Sequence, residues 1–227
     1  MQDAYRLSEL AIFHDLTPQE ITQFLEQMEA RIEQYEHGAR LLRAYTSNSN
    51  IGFVLKGEGQ VVVEDCLGNE SVGHRIKRGS MLGASTAILA PITLPIDIEA
   101  LTAMDVLWIE YDWLVTKGPR LGRIHGIVMR NILEAFCRRN VRMMQKLEII
   151  SQKGIRERVI LYLMQQELLQ PGLHRIEVPG RIQLARELEC NRSALTREIS
   201  LMQKDGLLTV GEGWMSLNHE KISEGRR

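Results

Sequence analysis

The spacing of apolar and polar residues changes twice along the chain, which indicates three successive types of structure. Residues 1–36 are predicted to be mainly helical. The clearest helix begins where Thr17 can act as N-cap, Pro18 fits the first turn and Glu20 completes a capping box. Three apolar side chains share one face of this helix: Ile21, Phe24 and Leu25.

From Ile32 to Trp113 the helical spacing gives way to short apolar runs rich in valine and isoleucine. The runs occur in IGFVLKGEGQVVVED, CLGNESVGHRIKRGSMLG and IDIEALTAMDVLWIEY. Glycines separate them, at Gly38, Gly57, Gly68, Gly79 and Gly83. Glycine allows the positive φ angles that sharp corners need. This pattern predicts an all-β barrel or roll.

A long helix is predicted from Leu121 to Ile150, because no proline or glycine follows Gly126. Its apolar positions cover more than one narrow face: Ile124, Val128, Ile132, Leu133, Phe136, Cys137, Met144 and Leu147. Such a helix needs two partners, so we expect it to pack on the roll and against the same helix of a second copy. Burial inside one copy is the alternative. Arg139 and Asn140 interrupt the stripe, either to set the register or to contact a ligand.

Ser151 is predicted to cap the next helix, which covers 155–169 and is followed by a short strand in RIEVPG. In RIQLARELECNRSALTREISLMQKDG, two short amphipathic helices meet across Glu-Cys-Asn, with Asn191 placed to cap the second. Two helices joined by so short a turn are typical of a helix-turn-helix. The runs LLTV and WMSL around Gly211 and Gly213 then predict a small hairpin, or wing.

Four polar side chains share the outer face of the second helix near its start: Arg192, Ser193, Thr196 and Arg197. The start of a recognition helix meets base edges in the major groove of DNA, and the planar arginine fork suits guanine. These four residues and Asn191 are therefore the candidate DNA-binding residues. The alternative is an ordinary amphipathic helix pair whose arginines lie in solvent.

Over residues 5–218 the chain resembles the family of the cyclic AMP receptor protein and the fumarate–nitrate reductase regulator. The resemblance rests on LARELECNRSALTREISLMQKDGLL for the helix-turn-helix, on IGFVLKGEGQVVVED for the first glycine-turn hairpin, and on the run Lys77 to Gly83. It implies an α+β protein with an N-terminal cyclic-nucleotide-binding-like β roll, a long dimerisation helix and a C-terminal winged helix-turn-helix. We expect these parts at 1–120, 121–150 and 151–221.

The resemblance implies a bacterial, cytoplasmic transcription regulator that binds palindromic double-stranded DNA as a homodimer, with RNA polymerase as a further partner. Two positions depart from the family in the DNA-binding part. Many relatives have glutamate where Ser193 stands, which puts the usual half-site in doubt. Glu189 occupies a turn position where glycine is common, at a cost of about 1 kcal/mol if its backbone is left-handed.

The expected sensor part departs from the family pattern more strongly than the DNA-binding part does. Cyclic AMP binders of the family have Gly-Glu and then Arg-Ser about ten residues on, whereas this chain reads GASTAILAPITLPI. Ala84 replaces the glutamate, Leu94 the arginine and Pro95 the serine. Because a buried phosphate needs a cation or several donors, we expect no cyclic nucleotide here. The candidate effector pocket is lined by Ala84, Ser85, Thr86, Leu94 and Asn140, and suits a small apolar or uncharged effector, or none.

No bound cofactor or metal is expected. The first 65 residues contain no cysteine for an iron–sulfur cluster. Haem stays open through four histidines that are more often surface or core residues: His14, His37, His74 and His125. The predicted strands offer only His74 for a metal-dependent enzyme, and motifs such as GxSxG and GxxxxGK are absent, so no enzyme activity and no catalytic residue is expected.

Charge, cysteine spacing and hydropathy further narrow the location and the type of protein. The net charge of −1 divides into −3 before residue 150 and +2 after it, the direction that a C-terminal DNA-binding part needs. The cysteines Cys66, Cys137 and Cys190 lack metal spacing and are expected to be partly buried thiols in a reducing compartment. No signal peptide is recognised, and the uncharged stretch 79–96 is too polar and too rich in glycine and proline for a membrane span. The alternative function is a ligand-sensing module whose C-terminal helices bind a protein rather than DNA.

Overall fold

The computed structural model describes residues 6–64, 70–170, 172 and 174–224. Its internal contacts divide the chain into two units, Met1–Ala135 and Phe136–Arg227, and both contain helices and antiparallel strands. This is the predicted α+β class. The expected three-part division assigns the long helix to a part of its own, and that assignment stays a prediction. Cys66 and Gly68 lie outside the described residues.

The first unit begins with short 3-10 turns at Leu7–Glu9 and Ala11–Phe13, followed by helix α1, Pro18–Gln27. The predicted capping box is confirmed. The Glu20 backbone N–H donates to the Thr17 hydroxyl oxygen over 3.3 Å, and the Thr17 backbone N–H donates to the Glu20 carboxylate over 2.9 Å. Each group satisfies a donor that the helix end would otherwise leave without a partner.

Two sheets form the body of the first unit. The strands are β1 (Arg31–Tyr35), β2 (Arg40–Leu42), β3 (Asn50–Lys56), β4 (Gly59–Glu64), β5 (Glu70–Ile76), β6 (Met81–Leu82), β7 (Ile96–Ala100) and β8 (Met104–Glu110), with helix α2 (Ala84–Ile88) between β6 and β7. They pair as antiparallel sheets in the orders β1-β8-β3-β6 and β2-β7-β4-β5. Both sheets contribute to one buried cluster: Leu41, Val54, Val61, Ile76, Leu82, Ile98, Ala100, Met104, Val106 and Trp108. The predicted β roll is confirmed.

Two local predictions in this unit are wrong. Residues 31–35 are a strand rather than the end of a helical region, because β1 pairs with β8 in the register Arg31 to Trp108. The segment IGFVLKGEGQVVVED is also not a hairpin, since β3 and β4 belong to different sheets. Gly57, with φ of +86°, turns the chain from one sheet to the other, and a Cβ there would collide with the Ala103 carbonyl.

The long helix is confirmed, starting two residues later than expected. Helix α3 (Tyr111–Thr116) and a 3-10 turn (Gly118–Leu121) precede helix α4, which covers Arg123–Ile150. Near its start the Asn131 amide donates to the carbonyls of Ile12, at 3.0 Å, and His14, at 2.9 Å. These bonds attach the first turns of α4 to the N-terminal segment.

The second unit contains the end of α4 and seven further elements: α5 (Ile155–Leu169), β9 (Ile176–Glu177), α6 (Arg181–Glu187), α7 (Arg192–Lys204), β10 (Leu208–Gly211), β11 (Trp214–Leu217) and α8 (His219–Glu224). The strands form a sheet in the order β10-β11-β9. Ser151 does not cap α5 as expected. Its hydroxyl donates to the Glu148 carbonyl at 2.7 Å, and Gly154 occupies the N-cap position instead.

A single apolar core lies beneath the helices and the small sheet of the second unit. Its fully buried members come from α5, α6 and its C-cap residue, α7 and the strands: Val159, Leu163, Ile176, Leu184, Leu188, Leu195, Ile199, Met202 and Met215. Among the residues that the structure describes, no helix has the length and apolar character to cross a membrane.

Candidate nucleic-acid interface

The predicted helix-turn-helix is present in the second unit as α6, a turn over residues 188–191, and α7. Leu184 and Leu188 are buried on the first side of the turn, and Leu195, Ile199 and Met202 on the second. Because these side chains face the core, the opposite side of α7 faces solvent.

Asn191 is the N-cap of α7, as predicted. Its side-chain oxygen accepts from the Ser193 backbone N–H at 2.9 Å and from the Ser193 hydroxyl at 2.7 Å. The cap satisfies an otherwise unpaired donor of the first turn and fixes where the helix begins. Because the Ser193 hydroxyl donates its hydrogen to Asn191, its oxygen is left to act as an acceptor towards other groups.

The outer face of α7 carries the four polar residues singled out from the sequence: Arg192, Ser193, Thr196 and Arg197. All four are exposed. The Thr196 hydroxyl donates to the Arg192 carbonyl at 2.9 Å, so it too keeps an oxygen acceptor. Within the described part of the chain, the guanidinium groups of Arg192 and Arg197 have no hydrogen-bond or ion-pair partner. Their role in DNA binding stays a prediction.

The inner side of α7 is held by an arginine that sequence reasoning missed. Arg156 at the start of α5 donates from Nε to Glu198 at 2.7 Å and pairs through Nη1 with Asp205 at 2.9 Å. The hydrogen bond to Glu198 raises the pKa of Arg156, because it favours the charged form of the guanidinium group. This ion-pair triad attaches the second half of α7 and its C-cap to the start of α5.

The turn between the two helices is held by two further basic residues. Glu189 has a φ of +47°, in the left-handed region that the sequence analysis considered. Its carboxylate lies 2.8 Å from the Lys146 ammonium of α4, and its carbonyl accepts from Arg158 at 3.2 Å. No sequence signal identifies these contacts, because spacing along the chain does not indicate which basic residue reaches the turn.

The wing is the hairpin of β10 and β11, with Gly213 at φ of +73° in its tip and β9 as its third strand. The Trp214 indole lies directly over Gly211, where any Cβ would collide with the ring. The Arg175 guanidinium carbon lies 4.5 Å from the centre of the same ring, a cation–π contact. Arg175 thus places a cation beside a hairpin whose only ionisable residue, over 207–218, is Glu212.

The candidate effector residues are only partly brought together. Ala84, Ser85 and Thr86 follow one another in α2, where Ala84 and Thr86 are buried and Ser85 is exposed. Leu94 lies half-buried in the segment before β7, and Asn140 is an exposed residue of α4 in the second unit. A pocket formed by all five residues stays a prediction.

Asn48, which sequence reasoning missed, binds polar groups at the start of α2. The Asn48 amide donates to the Gly83 carbonyl at 2.9 Å, to the Thr86 hydroxyl at 3.2 Å and to the Asn50 carbonyl at 2.8 Å. These contacts pair the polar groups at the head of α2 with protein rather than with a ligand. Among the described residues, no cluster of histidine, cysteine, aspartate and glutamate is arranged to hold a metal ion.

The expectation of partly buried thiols is met at Cys190 and not at Cys137. Cys137 is exposed on α4, whereas Cys190 in the helix-turn-helix is half-buried. Burial raises the pKa of the Cys190 thiol, and the neighbouring Arg158 charge opposes that shift.

No family model matches the sequence, and no curated protein sequence matches it significantly. Solved structures do match. The catabolite activator protein of Thermus thermophilus is 18% identical, with 96% of this chain and 100% of that chain covered and a TM-score of 0.53. The c-di-GMP responsive global regulator CLP of Xanthomonas campestris is 18% identical, with 88% and 99% covered and a TM-score of 0.54. OCPA-complexed CprK is 11% identical, with 87% and 90% covered and a TM-score of 0.64. The chain therefore shares the fold of the cyclic AMP receptor protein and fumarate–nitrate reductase regulator family.

Proposed function

We propose that the chain is a sequence-specific DNA-binding transcription regulator that acts as a homodimer on two-fold symmetric sites and responds to an effector other than cyclic AMP. The observation that carries the proposal is the exposed polar face at the start of α7, backed by a helix-turn-helix core.

Base recognition is the task that suits these residues. A guanidinium group can donate to both O6 and N7 of guanine, and Arg192 and Arg197 have no partner in the described chain that would compete. The Ser193 and Thr196 oxygens accept hydrogen bonds, as from the amino group of cytosine or adenine. Arg156 holds the helix from behind, so its outer face is presented in a fixed orientation.

The homodimer is supported by an apolar seam on α4. Five exposed positions follow one another at intervals of four, three, four and three residues: Leu133, Cys137, Asn140, Met144 and Leu147. This is the spacing of the contact positions in a coiled coil, and a single polar residue among them sets register. Leu133 is 64% exposed, Met144 61% and Leu147 60%, which is unusual for large apolar side chains in register on one helix.

An effector other than a cyclic nucleotide is supported by the chemistry around α2. No arginine or lysine occurs between Arg78 and Lys117, so a phosphate at the start of α2 would lack a cation from its own segment of the chain. A small apolar or uncharged effector fits this chemistry. A regulator of this kind acts on RNA polymerase, by recruiting it or by excluding it from the promoter.

The proposal is tested by selecting bound sequences from a random duplex pool with the purified chain, with and without cell extract as a source of effector. We expect a two-fold symmetric motif. Arg192→Ala should then weaken binding to the selected duplex by about 1–3 kcal/mol and relax the preference at one base pair of each half-site.

Arg43→Ala is the matched control, since Arg43 is an exposed arginine of the first unit. If Arg192→Ala and Arg43→Ala bind the selected duplex equally well, α7 does not read DNA. Failure to recover any motif, with extract or without, would favour a module whose C-terminal helices bind a protein.

A further inference from the structure

The turn of the helix-turn-helix contains a residue that its backbone conformation does not favour. Glu189 has a φ of +47°, where a side chain is disfavoured and glycine is the usual choice. Glycine would adopt this backbone conformation with less strain. The contacts of the glutamate side chain are therefore the features that glycine could not provide.

The Glu189 carboxylate lies 2.8 Å from the Lys146 ammonium. Lys146 belongs to the last turns of α4, which ends at Ile150. Both side chains are about half exposed, and ion pairs of this kind contribute little to folding stability. The contact matters for position, because it joins the end of the seam helix to the turn before the recognition helix.

A second contact joins the same two places. The Arg158 guanidinium donates from Nε to the Gln152 carbonyl at 3.0 Å, and from Nη1 to the carbonyls of Leu188 and Glu189 at 3.0 and 3.2 Å. Gln152 lies in the link between α4 and α5. The other two carbonyls are at the end of α6, where helix carbonyls lack partners within the helix. One side chain thus binds both the link and the turn.

We infer that Lys146, Glu189 and Arg158 form a junction that fixes the direction of the helix-turn-helix relative to the end of α4, and that this junction sets the half-site spacing that the dimer accepts. The inference rests on the proposed function as a DNA-binding dimer. In such a dimer the α4 seam relates the two copies, so the angle at each junction determines the separation and rotation of the two recognition helices. The three side chains are positioning residues and do not touch DNA.

Half-site spacing is the property that separates this role from a purely structural one. Adding one base pair between half-sites moves the second by about 3.4 Å and rotates it by roughly 35°. A rigid junction cannot follow that change, whereas a loosened one can. A merely structural role would change stability or the affinity for every duplex, and would leave spacing preference as it is.

The experiment measures binding of the full chain to the selected duplex, to versions with one base pair added or removed, and to a duplex with a single half-site. The variants are Lys146→Gln, Glu189→Gln and Glu189→Gly. For each variant we expect wild-type affinity for the single half-site. On the duplexes with altered spacing, we expect the variants to lose several-fold less affinity than the wild-type chain loses. Glu189→Gly should also keep or raise the melting temperature, because it relieves the left-handed strain.

Two further variants separate this role from a general effect of changing charge. Lys153→Gln removes an exposed charge from the link and should keep the wild-type spacing preference. The exchange of charges in Lys146→Glu with Glu189→Lys should restore the wild-type preference that each single change loses. The inference is overturned if the three variants discriminate spacing as wild type does, or if they lose affinity for all duplexes alike. Failure of the wild-type chain to bind any of these duplexes would instead contradict the proposed function.

Discussion

At the scale of single residues, four arginines of the second unit differ in what their guanidinium groups bind. Arg156 and Arg158 bind carboxylate and carbonyl groups within the unit. Arg192 and Arg197 are exposed and, in the described chain, have no such partner. Removing one of the first two should affect how the helix-turn-helix is held, whereas removing one of the second two should affect what it binds.

The Cys190 thiol provides a prediction at this scale. Burial raises its pKa, so a smaller fraction is thiolate at neutral pH, and thiolate is the reactive form. In a Cys66→Ser, Cys137→Ser background we expect Cys190 to react with an aromatic disulfide reagent at least several-fold more slowly in the folded protein than in urea. The folded rate should keep rising to a higher pH than the unfolded rate. Equal folded and unfolded rates would contradict the burial of this thiol.

At the scale of elements, α1 shows how a local signal sets a helix end. The pKa of Glu20 is lowered, chiefly by the hydrogen bond from the Thr17 backbone, and also by the Thr17 hydroxyl and the charge of Arg123. A carboxyl with a lowered folded pKa stabilises the fold above its ordinary pKa, and this contribution is lost as the pH falls through the lowered value.

Glu20→Gln keeps the hydrogen-bonding pattern of the capping box and removes the charge. We expect the variant to be less stable than wild type at neutral pH, with the difference shrinking in acid until it vanishes. Urea unfolding over a series of pH values measures it. A difference that stays constant from neutral pH into acid would show that the charge of Glu20 is not its cause.

The α4 seam gives a second prediction for an element. Met144→Glu places a charge within the exposed apolar stripe, and in a dimer the two charges would be buried without partners. We expect the dimer dissociation constant to rise about a hundredfold or more, as measured by sedimentation equilibrium. Val72→Glu, an apolar residue of β5 that is 66% exposed, is the control and should leave association unchanged. Equal association of all three proteins would exclude this seam as the interface.

Elements that depend on neighbours in sequence were predictable, and those that depend on distant strands were not. The caps at Thr17 and Asn191 and the helix-turn-helix follow from spacing within a few residues. Strand β1 has a sequence, RIEQY, with no strong local preference, and its state is decided by pairing with β8 some seventy positions away. The positions of Arg156 and Arg158 were likewise hidden, because their partners lie 42 and 30 residues on.

At the scale of the whole molecule, the order of roll, long helix and winged helix-turn-helix was predictable from the sequence alone, whereas the effector was not. The residues near α2 show only which cyclic AMP-binding residue types this chain lacks. In calorimetric titration of the full chain, we expect no cyclic AMP binding of micromolar affinity and no shift in melting temperature, because a buried phosphate would lack compensating charge. Saturable binding with a micromolar dissociation constant would overturn this expectation.

The stack of Trp214 on Gly211 in the wing has a consequence for how this chain can change over evolutionary time. A side chain at 211 would occupy the space of the indole, so a substitution there requires the tryptophan ring to leave its position. The two positions are therefore coupled: loss of the aromatic residue removes the obstacle to replacing the glycine. Among descendants of this protein, those with a larger residue at 211 should have a small or flexible one at 214, and Arg175, without a ring beneath it, would then be free to vary.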